Sequence, residues 1–234
     1  MIAKKISEIS QSTGKDVIVT FRDFLDYCIE CLTPPRPLPK SIDNTNAFFD
    51  AFAELLLEYT NGIEKDGWYD PLGDLFMEFT KGIVSYRGQF FTPNSICKLM
   101  AETTLESEPH GEKTYCGAFG NRWVCSDPTC GSGRNLLAIA ARFAGKTRKD
   151  LPYFIGEDLD DTCCKMTAIN MCIHGLPGEV ICHNTLSEPD TCKYGYVINE
   201  TTYPIYTGIP SIRRFEDKRR FILFRTENSK NENL

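Results

Sequence analysis

The sequence predicts an α/β fold: a short parallel sheet preceded by a helical region. Three observations carry this. Apolar residues recur at helical spacing in the segments up to Met100. After about residue 112, short β-rich runs alternate with helical ones. A Gly-x-Gly turn, Gly131 to Gly133, lies between the first such strand and the helix that follows it.

The elements follow in order. Thr20 with Asp23 resembles a capping box, and Phe21, Phe24, Leu25, Cys28 and Leu32 form one helix face behind it. Thr33 to Pro39 holds four prolines and ends that helix. It reads as a stiff connector, with a PxxP ligand as the competing reading. Phe48, Ala51, Phe52, Leu55, Leu56 and Tyr59 line a second helix. Asp70-Pro71 is an N-cap with proline at the first helical position, and Leu72, Leu75, Phe76 and Phe79 continue a third. Thr92-Pro93 repeats the signal for a fourth helix, lined by Ile96, Leu99 and Met100. Expected strands are Trp123–Cys125, Tyr153–Ile155, Val180–Cys182 and Tyr196–Ile198. Expected helices between them are Asn135–Phe143 and Asp161–His174, the second stopped by His174-Gly175. Arg220–Arg225 is a fifth candidate strand, with Phe221 to Phe224 laid beside the fourth, and the tail after it is polar. Right-handed crossovers make such a sheet Rossmann-like.

Composition narrows the function. The 234 residues carry a net charge of −6, and the sequence pI is about 5.2. Binding nucleic acid by bulk positive charge is excluded; a local basic patch or a partner would be needed. Arg213, Arg214, Lys218, Arg219, Arg220 and Arg225 form such a patch, broken by Glu216 and Asp217, and a solvated mixed-charge surface is its plainer reading. No apolar run reaches the roughly 20 residues of a membrane span. Met1–Ser10 has no signal-peptide core, so a cytoplasmic location is expected. The 11 cysteines are odd in number and irregularly spaced, which fits reduced, buried thiols. The CxxC of Cys28 and Cys31 falls in a helical pattern with no second pair, so no metal is expected.

The chemistry concentrates in two places. Asp127-Pro-Thr-Cys-Gly-Ser-Gly133 follows a strand and precedes a helix. Its glycines let the backbone turn sharply and approach a ligand, and the helix start favours an anionic group. No Lys-Ser/Thr follows, so it is not a phosphate loop of the Walker type. Leu136 stands where the nicotinamide fingerprint has its third glycine. Gly156-Glu157-Asp158 ends the next strand. A carboxylate there can accept two ribose hydroxyls, and strand alternation sends only one of Glu157 and Asp158 into the crevice. The two features together indicate a nucleoside-containing cofactor at the carboxyl edge of the sheet.

Four segments in order then resemble the N6-adenine DNA methyltransferases, above all the modification subunits of type I restriction systems. They are Gly88-Gln-Phe-Phe-Thr-Pro93, Asp127 to Gly133, Gly156 to Gly175, and Asn184-Thr-Leu186. The resemblance covers about residues 80 to 200. It implies a shortened class I methyltransferase sheet over residues 111–234, with a helical region and lid segment over 1–110. It implies S-adenosylmethionine as cofactor. Asp127, Cys130, Gly131 and Gly133 would surround the methionine half, and Phe91 and Thr92 would close the pocket. Asp158 would hold the ribose, with Leu159 beside the adenine and Asn184 on its edge.

The family orients the target amine with a polar-Pro-Pro-aromatic motif after the fourth strand. Here that strand is followed by Asn199-Glu-Thr-Thr-Tyr203-Pro204, with both prolines absent and the aromatic displaced by one position. In the methyltransferase reading Asn199 contacts the amine and Tyr203 stacks on the base. DNA is then the substrate, reached through a partner specificity subunit in a homo- or hetero-oligomer. The alternative is an inactive module that binds S-adenosylmethionine or a partner. A small-molecule or RNA methyltransferase is a third reading.

Overall fold

The computed structural model describes residues 2–34, 45–81, 90–105, 114–115, 121–145, 151–186, 192–200, 210–217 and 221. Five helices come first: α1 (Ile2–Thr13), α2 (Val17–Leu32), α3 (Thr45–Asp66), α4 (Pro71–Phe79) and α5 (Asn94–Thr104). Two-residue strands β1 (Thr114–Tyr115) and β2 (Asn121–Arg122) pair antiparallel. Then come β3 (Val124–Asp127), α6 (Arg134–Ala141), β4 (Tyr153–Asp158), α7 (Asp161–Ile173), β5 (Gly178–Cys182), β6 (Tyr194–Ile198) and β7 (Ile212–Phe215).

Local chemistry sets most boundaries. The α2 cap is Asp16, whose side chain accepts the Ile18 N–H at 2.8 Å, so the helix starts three residues before the expected Thr20 box. Asp70 caps α4 with Pro71 behind it, as the sequence indicates. Helix α7 ends in a Schellman turn: Leu176 N–H reaches Met171 O, Gly175 N–H reaches Cys172 O, and Gly175 takes φ +71°. Helix α5 exists, but its buried residues are Cys97 and Ala101, while Ile96, Leu99 and Met100 are exposed. Pro93 is its N-cap, with no side-chain cap.

Strands β3 to β7 form one sheet in sequence order. The pairs β3–β4 and β4–β5 are parallel, whereas β5–β6 and β6–β7 are antiparallel. The α/β class with an N-terminal helical region is thus present, and among the described residues the sheet has five strands and is mixed. Parallel neighbours need a crossover of a dozen or more residues, usually helical. Helices α6 and α7 supply two such crossovers, while only residues 183–193 separate β5 from β6. The short link suits an antiparallel neighbour. β7 flanks β6 where Phe221 to Phe224 was expected; residues 218–220 and 222–234 lie outside the described residues.

Alternation divides the sheet faces. Phe154, Val180, Cys182, Tyr196 and Ile198 join the main core, which also takes in residues of α1 to α7. The helical region and the sheet therefore share one apolar interior. Tyr153, Ile155, Ile181 and Val197 face the other way and pack with buried Phe221. Among the described residues no helix is long and apolar enough to cross a membrane.

Candidate functional site

Three parallel strands end at one edge of the sheet, and the chemistry-bearing residues gather there. Asp127 closes β3, Asp158 closes β4, and Asn184 follows β5. Residues 128–133 bridge β3 to α6. Gly131 and Gly133 take φ +56° and +90°, in the left-handed region that side chains disfavour. Gly133 is the α6 N-cap, and no side chain caps that helix.

The loop is held from both sides. Cys130 N–H donates to Glu157 O at 2.9 Å. The Thr167 hydroxyl, from α7, donates to Gly131 O at 2.8 Å. Cβ atoms added at Gly133 and Gly156 would both meet the Thr167 methyl at 3.1 Å. Asp127 accepts Thr129 N–H at 3.1 Å through one oxygen and the Asn135 amide at 3.1 Å through the other. Thr167 sits mid-helix, where its residue type carries no functional signal, and sequence reasoning missed it.

Alternation decides between the two carboxylates. Asp158 faces the glycine loop, where Oδ2 accepts Gly131 N–H and Oδ1 accepts Asp160 N–H, each at 2.9 Å. Burial raises its pKa above the ordinary carboxylate value, although the Asp160, Gly131 and Leu159 amides act against the shift. Glu157 faces the opposite side, where buried His183 donates Nε2–H to it at 2.5 Å.

Phe91, ahead of α5, also reaches the loop. Phe91 lies so close that a Cβ on Gly131 would stand 3.0 Å from its ring. Phe91 packs on Phe76 of α4 with centroids 5.4 Å apart. Thr92 is half-buried and accepts Cys97 Sγ–H through its carbonyl at 3.6 Å. Leu159 is exposed, and Asn184 turns back to accept Leu186 N–H at 3.1 Å. Cys130 is buried under the loop, where burial pushes its thiol pKa well up even though the Thr167 hydroxyl opposes the shift. That marks a packing residue more than a nucleophile.

Asn199 does not join this group. Because β6 runs antiparallel, Ile198 pairs with Gly178 at the start of β5. That is about 13 Å of strand away from the carboxyl edge, at about 3.3 Å per residue. There Asn199 is buried, with φ +54°. Its amide donates to Cys172 O at 3.2 Å and Leu176 O at 3.0 Å, and its oxygen accepts Ser211 N–H at 3.0 Å. Its geometry is that of a brace between the α7 end and Ser211, just ahead of β7. Tyr203 lies outside the described residues. Of the basic cluster, Arg213 and Arg214 are on β7, with Arg214 over the Tyr194 ring at 4.0 Å; Lys218, Arg219, Arg220 and Arg225 lie outside them. No His/Cys/Asp/Glu group able to hold a metal occurs among the described residues.

Residues 69–233 match the family model described as N-6 DNA Methylase. The methylase subunit of the type I restriction enzyme MpnII from Mycoplasma pneumoniae is 24% identical over 134 residues, covering 57% of this chain and 19% of that protein. The crystal structure of a type I restriction-modification system methyltransferase subunit from Streptococcus thermophilus is similar with a TM-score of 0.38 at 20% identity, covering 80% of this chain and 39% of that one. The chain therefore spans well under half the length of these relatives.

Proposed function

The chain belongs to the N-6 DNA methylase family, and from that premise we propose that it carries the S-adenosylmethionine site of a DNA (adenine-N6) methyltransferase of the type I restriction-modification kind. The observation that carries this reading is the placement of the Asp158 carboxylate against the Gly131 N–H at the carboxyl edge, beside the uncapped start of α6.

The residues fit the cofactor. Asp158 accepts the two ribose hydroxyls. The left-handed glycines bring bare backbone to the methionine half, while Asp127 fixes the loop ahead of them. Phe91 and Thr92 cover the pocket, and Leu159 and Asn184 border the adenine. When bound, the cofactor supplies an electrophilic methyl group. The protein's part is to orient it and exclude water. DNA is met with the help of a specificity subunit, which agrees with a net charge of −6.

A second reading has its own support. Asn199 braces the edge opposite to the cofactor residues. This favours a chain that holds the cofactor while the group that orients the adenine amine comes from elsewhere. Calorimetry with S-adenosylmethionine tests the common part, and a wild-type chain that binds none at millimolar ligand rejects both readings. Transfer of labelled methyl to DNA separates them. Transfer when a specificity subunit alone is added supports the methyltransferase; transfer only when a second methyltransferase subunit is also added supports the cofactor-holding module.

A further inference from the structure

A buried polar cluster joins the helical region to the glycine loop, outside the cofactor residues. Asp70 is 1% exposed. As the α4 cap it needs only its bond to Gly73 N–H, at 2.8 Å. It makes three more. Oδ1 accepts the Asn170 amide at 2.8 Å, and Oδ2 accepts the Ser132 hydroxyl at 2.6 Å and Arg134 Nε–H at 2.5 Å. Asn170 is itself fully buried; it also donates to Ser132 O at 2.6 Å and takes the Tyr59 hydroxyl.

Two of the partners, Ser132 and Arg134, flank Gly133 at the turn into α6. Arg134 pairs with Asp74 as well, and its guanidinium lies 5.8 Å from the centre of Phe91. Phe91 in turn rests on Phe76 and abuts Gly131. One short helix, α4, thus reaches the loop at Ser132, at Arg134 and, through Phe91, at Gly131. A buried carboxylate is a poor source of stability in itself, because desolvation offsets most of its attraction. Its geometric effect is the stronger one: four directed bonds allow one arrangement of the turn.

We infer that Asp70 is a positioning residue for the glycine loop, so that docking of α4 on residues 131–134 governs cofactor affinity. The inference rests on the reading of that loop as the S-adenosylmethionine site. Coupling of this kind is reciprocal: a cofactor that requires the docked loop also tightens the docking of α4.

Amide hydrogen exchange on the full chain tests it with Ser132→Ala and Asp70→Asn. Ser132→Ala removes one loop bond and leaves the α4 cap and the ion pairs intact, so it decides the matter if Asp70→Asn fails to fold. Without cofactor, exchange over residues 129–137 is expected to quicken at least about tenfold while residues 178–182 keep the wild-type rate. The S-adenosylmethionine Kd is expected to rise at least about fivefold. In wild type, but not in Ser132→Ala, the cofactor is expected to slow exchange over residues 71–79. Equal quickening in both segments would mean that the cluster only stabilises the fold, and an unchanged loop would mean that it does nothing to the site; either overturns the inference. If wild type binds no S-adenosylmethionine, the proposed function falls and the cofactor-free exchange alone decides for or against Asp70.

Discussion

The Asp158 carboxylate accepts the Gly131 N–H at 2.9 Å, tying the end of β4 to the glycine turn 27 residues earlier in the chain. Charge-assisted hydrogen bonds contribute about 1.5–3 kcal/mol each. Losing those to a ribose in Asp158→Ala should therefore weaken S-adenosylmethionine at least about tenfold. Calorimetry reads this directly, and an unchanged Kd would remove Asp158 from the site.

Proton linkage gives the same residue a pH signature. Burial raises the Asp158 pKa above its ordinary 3.8. Hydroxyl donors need the ionised form, so cofactor affinity should fall as pH drops through the raised pKa, at higher pH than an unshifted carboxylate would show. For the fold the sign reverses: just above 3.8 the native state holds more protons than the unfolded one, so Asp158 opposes folding as pH rises through that window. Asp158→Asn should remove both effects. A wild-type Kd that weakens at no higher pH than an unshifted carboxylate allows would contradict this.

His174 acts in a different window. Its Nε2 accepts Tyr69 N–H at 3.1 Å, so Nδ1 carries the proton given to Asn170 O at 2.7 Å. Burial lowers its pKa below 6.5, against the Asn170 carbonyl and Asp70. The unfolded chain then takes up a proton first as pH falls. Stability should decline from near pH 6.5 downward, and His174→Gln should flatten that decline. Urea midpoints across the range check it; equal slopes for both proteins would count against it.

Asn199 should behave as a structural residue. Asn199→Ala loses side-chain hydrogen bonds worth about 1 kcal/mol each and adds about 1–2 kcal/mol of left-handed strain. Asn199→Gly loses the bonds without the strain. The glycine variant should be the more stable of the two by about 1 kcal/mol in denaturant unfolding. The reverse order would refute the brace.

Gly131→Ala combines φ +56° with a Cβ 3.0 Å from the Phe91 ring. A loss of about 1–2 kcal/mol is expected, with weaker cofactor binding. Adding Phe91→Leu should recover only the part due to the ring contact, because the backbone strain persists. Full recovery in the double variant would show that the left-handed turn costs nothing there.

The elements legible in the sequence are those whose causes are local. Asp70-Pro71 caps α4 because both residues act within one turn of themselves, and His174-Gly175 stops α7 for the same reason. Period-two alternation placed Asp158 and Glu157 on opposite faces of β4. What the structure places differently has non-local causes. Ile96, Leu99 and Met100 keep helical spacing, yet which face of α5 is buried depends on α6, against which it packs. Asn199 follows a strand as the family's polar residue does, but its location depends on the direction of that strand.

Residue types and spacing alone determined the family resemblance, the two segments proposed to hold the cofactor and the alternation of strands and helices. Only the tertiary structure decided that β6 runs antiparallel to β5 and carries Asn199 to the far edge. Only it brought Asp70, Ser132 and Asn170 together across a hundred residues of sequence. The physical reason is the same for both: strand pairing and buried polar satisfaction are properties of neighbours in space, and a linear pattern of side chains does not record which neighbours the folded chain will supply.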